Sequence, residues 1–126
     1  ELYRTFQQRA DMIKNNLLAF LVEQKSMGKK VAAYGAAAKG NTLLNYAGIK
    51  PDLIPYVCDA APSKQGKFLP GSHIPVVAPD LLKEEKPDVV LILPWNIADE
   101  IIEHHGYVRE WGGVFAVAVP EVEILA

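Results

Sequence analysis

A chain of 126 residues, 50 % hydrophobic and 22 % charged, is sized for one globular domain with a core of its own. Thirteen Lys and Arg against fifteen Asp and Glu leave a formal charge of −2 with no basic run, which argues against nucleic acid or an anionic membrane as the main partner. A single cysteine, Cys58, excludes an internal disulfide, no Cys/His group has zinc-ligand spacing, and no apolar run nears the roughly 18 residues of a membrane span or a signal-peptide pattern, so the expected location is a reducing cytoplasm.

The chain opens ELYRTFQQRADMIK, without an initiating methionine and already in a helical pattern, and reads as a piece cut from something longer. Tyr3, Phe6, Ala10, Ile13, Leu17 and Phe20 recur at spacings of three and four, which places one apolar stripe on a helix of about five turns covering a sheet. Gly28 ends this leading helix, with Lys25 favourable to its C-terminal dipole, and Lys25, Lys29 and Lys30 form a solvated helix end.

Val31 to Tyr34 (VAAY) is a short apolar run suited to a strand buried on both faces. Gly35 stops it, and Ala36, Ala37, Ala38, Lys39 and Gly40 give small side chains through which the chain turns into a helix running to about Tyr46. A helix start presents backbone N–H groups without internal acceptors and partial positive charge, so an anionic oxygen is stabilised there. Lys39 adds a full charge, Asn41 and Thr42 add neutral donors, and the stretch reads as a phosphate cradle. Against the dinucleotide fingerprint G-x-G-x-x-G the match is partial: Gly35, Ala37, Gly40, with alanine where the second glycine belongs. A triphosphatase loop is not supported, because the lysine precedes the second glycine. The competing reading is a tight turn whose small residues only let the helix pack on the sheet.

After a turn at Gly48 and Pro51, Leu53 to Cys58 reads as a second strand, with Pro55 placing its first half at an edge or leaving it frayed. Asp59 follows, near where a dinucleotide-binding unit puts its ribose-binding carboxylate, though a carboxylate at a strand end or helix cap is an equal alternative. Ala60 to Val77, rich in proline, reads as a long surface loop with Lys64, Gln65, Lys67, Ser72 and His73 as polar heads. Pro79 to Glu85 is a short helix and Asp88 to Leu93 (DVVLIL) the strongest buried strand. Pro94, Trp95 and Asn96 then lie on the sheet edge that carries Gly35 and Asp59, with Asn96 either capping the next helix or facing a ligand. That helix runs through about Glu110, Gly112 and Gly113 stop it, and Val114 to Val119 is a last strand before Pro120. The alternation predicts an α/β, Rossmann-like three-layer domain, residues 1–126, with a parallel sheet of about four to five strands and right-handed crossovers.

Catalytic constellations are scarce. His104 and His105 are adjacent on a helix, cannot make an i, i+4 metal pair and read as surface residues; His73 is the one histidine to consider near a ligand. Cys58 ends a buried strand and reads as core.

The segments YGAAAKGNTLLNY, DAAPSKQGKFLPGSHIPV, PDVVLILPWNIADEI and REWGGVFAVAVPEV together resemble the C-terminal domain of the S-adenosylmethionine-dependent sugar C-methyltransferases, which branch deoxysugars carried on nucleoside diphosphates. The resemblance covers Val31 to Val122, and residues 1–28 resemble the segment leading out of the preceding domain. It implies a parent enzyme with a zinc-binding N-terminal domain and a central S-adenosylmethionine domain, both outside this chain, so no cofactor and no catalytic residue are expected here. It implies further that Tyr34, Gly35, Ala36, Ala37, Ala38, Lys39, Gly40, Asn41 and Thr42 hold the diphosphate of a nucleoside-diphosphate sugar. Asp59, Ser63, Lys64, Gln65 and Gly66 with Pro94, Trp95 and Asn96 would frame the substrate, and the S-adenosylmethionine domain of the same parent chain would be the protein partner. Where the family commonly reads D-x-N-P-x-K-Q-G, this chain has Ala61 in place of the asparagine. Two readings stand beside this one: an NAD(P)-type oxidoreductase domain, drawn from Gly35, Gly40 and Asp59, and a non-catalytic interaction module.

Overall fold

Val31–Tyr34 (β1), Val89–Ile92 (β4) and Val114–Val117 (β5) are built from apolar residues, and such runs are stable where both faces of a strand are covered. A computed structural model describes residues 2–125, with the side chains of residues 5–125, and places these three strands at the centre of one sheet. Val57–Cys58 (β2), Val76–Val77 (β3) and Glu123–Leu125 (β6) complete it in the order β3-β2-β1-β4-β5-β6. Ala33 lies opposite Val57 on one side and Leu91 on the other, both in parallel register, whereas β6 runs antiparallel along β5 with Ile124 opposite Ala116.

The period of two along each strand divides the interior into two cores. Val31 and Ala33 point to one side, where Leu17 and Leu21 of α1 (Leu2–Ser26) and Leu44 of α2 (Ala38–Ala47) meet them. Ala32 and Tyr34 point to the other, against Leu82 of α3 (Asp80–Glu85), Ile101 of α4 (Ala98–His104) and Val108 of a 3-10 turn, Gly106–Trp111. The result is the predicted three-layer α/β domain. Leu17 and Leu21 are buried almost completely, and each contributes about 1.5–3 kcal/mol to holding α1 on the sheet.

Several boundaries differ from the expectation for physical reasons. Four of the five parallel strands lie where the sequence placed strands, β3 is an addition, and a sixth, antiparallel, lies after Pro120, where alternating Glu123 and Glu121 carry no buried-strand signal. The strand expected from Leu53 shortens to Val57–Cys58, because 51–53 form a turn and Pro55 has no ladder donor. The expected loop from Ala60 contains β3: Phe68 bridges Pro75, and the Val76 N–H donates to the Lys67 carbonyl at 2.8 Å. The helix expected through Glu110 stops at His104 and resumes as the 3-10 turn beginning at Gly106. Asn96 caps nothing; it sits inside a 3-10 turn, Trp95–Ile97, and no side chain caps α4.

The stripe on α1 is buried only in its second half. Phe6 is 69 % exposed and, with Ala10 and Ile13, lines an apolar groove of about 590 Å³ shared with Leu43, Tyr46, Trp95 and Val119. The Tyr3 side chain lies outside those described. Tyr46 fastens the helices across this groove by donating its hydroxyl to Asp11 and accepting from Gln7 Nε2 at 2.8 Å.

Gly40 shows how closely α2 approaches the sheet: a Cβ there would stand 2.6 Å from Leu93 Cβ. Gly40→Ala gains about 1 kcal/mol of helix propensity and incurs about 1–3 kcal/mol of overpacking, so net destabilisation is expected. Gly106→Ala, which meets no atom within 4 Å, should shift stability by less than about 0.5 kcal/mol. Urea unfolding of the two variants measures the difference.

Candidate functional site

The strand order reverses between β1 and β4, and the carboxyl edge of the sheet opens into a crevice at that point. Gly35 makes the turn out of β1 with φ of +91°, and a Cβ on it would lie 2.5 Å from Pro94 Cδ, so both the conformation and the space demand glycine. Its N–H donates to the Cys58 carbonyl at 2.7 Å, and the Ala37 N–H donates to the Gly35 carbonyl at 2.8 Å. The first bond inside α2 runs from the Asn41 N–H to the Ala37 carbonyl at 2.9 Å. The N–H groups of Ala38, Lys39 and Gly40 therefore precede any intrahelical acceptor, and Ala37 has no side chain with which to cap them. Ala37, Ala38 and Lys39 face Pro94, Trp95 and Asn96 across a small cleft of about 150 Å³. Thr42 spends its hydroxyl on the Ala38 carbonyl at 3.0 Å, and Asn41 Oδ1 is shut away from solvent without a hydrogen bond. Donors toward the cleft are thus backbone amides and the exposed Lys39 ammonium.

Asp59 binds the protein's own loops. One carboxylate oxygen accepts from the Ala36 N–H and the other from the Ala61 N–H, each at 2.8 Å. Lys64 Nζ stands 3.8 Å from that carboxylate and donates to the Ala36 carbonyl at 3.3 Å, and Gln65 Nε2 donates to the Asp59 carbonyl at 2.8 Å. Gly66, with φ of +81°, lets its N–H reach the Val76 carbonyl at 2.9 Å. Asp59, Lys64, Gln65 and Gly66 thus clamp the β1–α2 loop to the β2–β3 connection, and Ser63 stays exposed on the turn.

On the α4 side, Tyr34, Gly35, Asp59 and Pro94 enclose a larger cleft of about 630 Å³ with Ile97, Glu100, Ile101, His104 and His105. His105, expected at the surface, is half-buried there: Nε2 lies 3.0 Å from the Tyr34 hydroxyl and Nδ1 2.8 Å from the Tyr107 hydroxyl. Burial, then the neighbouring His104 and Lys83 charges, hold its pKa below the ordinary imidazole value. Burial raises the Tyr34 phenol, with the charges of Asp59 and Cys58 adding to the shift. A neutral imidazole has one donor and one acceptor nitrogen, so one tyrosine donates and the other accepts. Cys58 is fully buried, and its thiol is pushed up to about 12, first by burial and then by the Asp59 charge, which fits a core residue. His73 lies away from the crevice: the adjoining Pro70–Gly71 turn packs on Asn45 in the last turn of α2, the end opposite Gly35.

The family description "C-methyltransferase C-terminal domain" matches residues 1–120. The chain belongs to this family. It is 37 % identical over 124 residues to the C-methyltransferase NovU of Streptomyces niveus, an alignment covering 98 % of the chain and 30 % of that relative. The chain therefore spans about a third of the length of the curated relative it matches. Among its described residues, no helix is long and apolar enough to cross a membrane.

Of the residues singled out in the sequence of this C-terminal domain, the fold gathers Tyr34, Gly35, Asp59 and Pro94 around one cleft and Ala37, Ala38, Lys39, Pro94, Trp95 and Asn96 around the other. Ala36, Gly40, Asn41, Thr42, Ser63, Lys64, Gln65 and Gly66 line neither. Glu100, His104 and His105 also line the larger cleft and were not among the residues singled out. Tyr34 carried the one available signal, since a phenol ending a buried strand needs a partner for its hydroxyl.

The lowered His105 pKa fixes a sign. Above the free-imidazole value near 6.5 the ring is neutral in both states and the contribution is fully present. Below it, the unfolded chain takes a proton that the folded ring resists, so stability falls as pH drops toward and through the folded value. Urea midpoints between about pH 7.5 and 5 should decline less steeply in His105→Gln than in the unmodified domain.

Proposed function

We propose that this domain holds the nucleoside-diphosphate sugar substrate of a C-methyltransferase, gripping the diphosphate at the N-terminus of α2 for a reaction centred in another domain of the parent chain. The observation that carries the reading is the set of uncapped N–H groups at Ala38, Lys39 and Gly40, placed at the switch point with the Lys39 ammonium in the same helical turn. Methylation of a sugar carbon beside a keto group needs a base for the proton and an electrophilic methyl, which S-adenosylmethionine would supply when bound in the central domain. The task of the present domain is then to immobilise the substrate, and correct placement alone can lower a barrier by several kcal/mol. Among the described residues no three metal-ligating side chains come together, and in this reading zinc belongs to the N-terminal part of the parent chain. The cytoplasm, as the source of nucleotide sugars, is the expected location.

The rival oxidoreductase reading relied on Asp59 as a ribose acceptor, and both of its carboxylate oxygens are already engaged by backbone amides. Calorimetric titration of the parent polypeptide with thymidine diphosphate, uridine diphosphate and NAD separates the two. Lys39→Ala should weaken nucleoside-diphosphate binding about tenfold, the scale of one lost charge-assisted contact. A preference for NAD over both diphosphates would overturn the assignment.

A further inference from the structure

The smaller cleft beside α2 accommodates charge, whereas the larger cleft beside α4 has a different chemistry. No lysine or arginine lines it, so nothing there favours a second phosphate. Its base is Tyr34 and His105, an aromatic pair with ring centroids 4.6 Å apart, and its wall is Ile97 and Ile101. Both His105 nitrogens are taken by phenols, which holds the ring in one orientation. Two polar groups stand at the rim: Glu100 and His104, one turn apart on the same side of α4. Both are exposed, and Glu100 is the carboxylate in the cleft that the protein's own amides do not occupy, since Asp59 is engaged by Ala36 and Ala61. An aromatic base, an apolar wall and a carboxylate with an imidazole at the rim suit an uncharged ring bearing hydroxyl groups. At about 630 Å³ the cleft falls within the range of small-molecule sites. Pro94 borders both clefts, so one ligand can cross the switch point from one to the other.

We propose that the α4-side cleft receives a carbohydrate ring attached to the diphosphate, with Glu100 and His104 binding its hydroxyl groups. The inference rests on the diphosphate assignment made above and adds the direction in which the ligand lies: phosphates toward α2, ring toward α4. Glu100 is a specificity-determining residue in this arrangement. Its carboxylate accepts from ring hydroxyls as a strand-end carboxylate accepts from ribose in dinucleotide-binding folds.

The test uses the parent polypeptide and calorimetric titration with thymidine diphosphate, thymidine diphosphate glucose and the two uridine counterparts, comparing Glu100→Gln, His104→Ala and Lys39→Ala. Glu100 is exposed and Gln is close to isosteric, so folding is preserved. Glu100→Gln should weaken the nucleotide sugars about tenfold while nucleoside diphosphates change by less than about twofold, which places the hexose in the cleft. Equal weakening of both ligand classes also supports the cleft and identifies the ring as the ribose. If neither Glu100→Gln nor His104→Ala alters any affinity while Lys39→Ala weakens all of them, the carbohydrate cleft is overturned and the diphosphate site stands. If Lys39→Ala alters nothing, the diphosphate site itself is overturned.

Discussion

Everything at the carboxyl edge depends on two close approaches made by residues without a Cβ. Gly35 lies against Pro94, and Gly40 lies against Leu93. The first brings the end of β1 to the residue that follows β4, and the second seats the opening turn of α2 on the same segment. Were either contact relaxed by the width of a methyl group, the amides of Ala38, Lys39 and Gly40 would move away from Pro94, Trp95 and Asn96, and the small cleft would lose one wall. The third glycine of the dinucleotide fingerprint has this packing role in general, and Gly40 fills it here. The second position, Ala37, needs no such freedom, because its extended backbone, φ −88° and ψ 147°, is open to any residue. The departure from the fingerprint thus falls where the backbone tolerates a side chain.

Asp59 makes the second point about how local chemistry is reassigned within a shared fold. Its place at the end of β2 matches the ribose-binding carboxylate of dinucleotide folds, yet its oxygens serve the Ala36 and Ala61 amides. Without that carboxylate the partly buried Ala36 N–H would lack its acceptor, at a cost of about 1–3 kcal/mol. Lys64 and Gln65 close the same knot from the other side, so the D-A-A-P-S-K-Q-G segment acts as a brace for the β1–α2 loop. Position in a fold therefore does not fix a residue's role; the hydrogen bonds it already makes do.

Which parts of this were legible in the sequence follows from how local each signal is. β1, β4 and β5 announce themselves because strands covered on both faces must be apolar throughout. β2 and β3 hold two residues each, too few for any period, and β6 is an edge strand in which Glu123 sits beside exposed Ile124. The turn from β1 into α2 was legible because Gly35, the alanines, Lys39 and Gly40 are contiguous. The cluster of Tyr34, His105 and Tyr107 was not, since Tyr34 and His105 are 71 positions apart and no spacing rule links them. His105 is the C-cap of α4 and turns inward, while its neighbour His104, the last helical residue, stays exposed. Glu100 looks in sequence like any solvated helix position, and only the packing of α4 across from Tyr34 and Pro94 makes it part of a cleft.

The distribution of charge around the switch point then bears on the proposal that one ligand uses both clefts. An unpaired carboxylate beside a bound diphosphate would oppose it by roughly 1–4 kcal/mol at the effective dielectric of a protein surface. Asp59 is the carboxylate placed to do so, and two backbone amides with Lys64 compensate it before any anion arrives. Glu100, which has no such compensation, stands on α4 and not on the α2 side where Lys39 and the free amides are. In the arrangement proposed above, a phosphate would be drawn to one side of Pro94 and repelled from the other, while a neutral hydroxylated ring would meet the opposite preference. The same asymmetry that would hold the ligand would also orient it, and a substrate bound backwards would place its anion against Glu100 and its ring against an ammonium group that gains nothing from it.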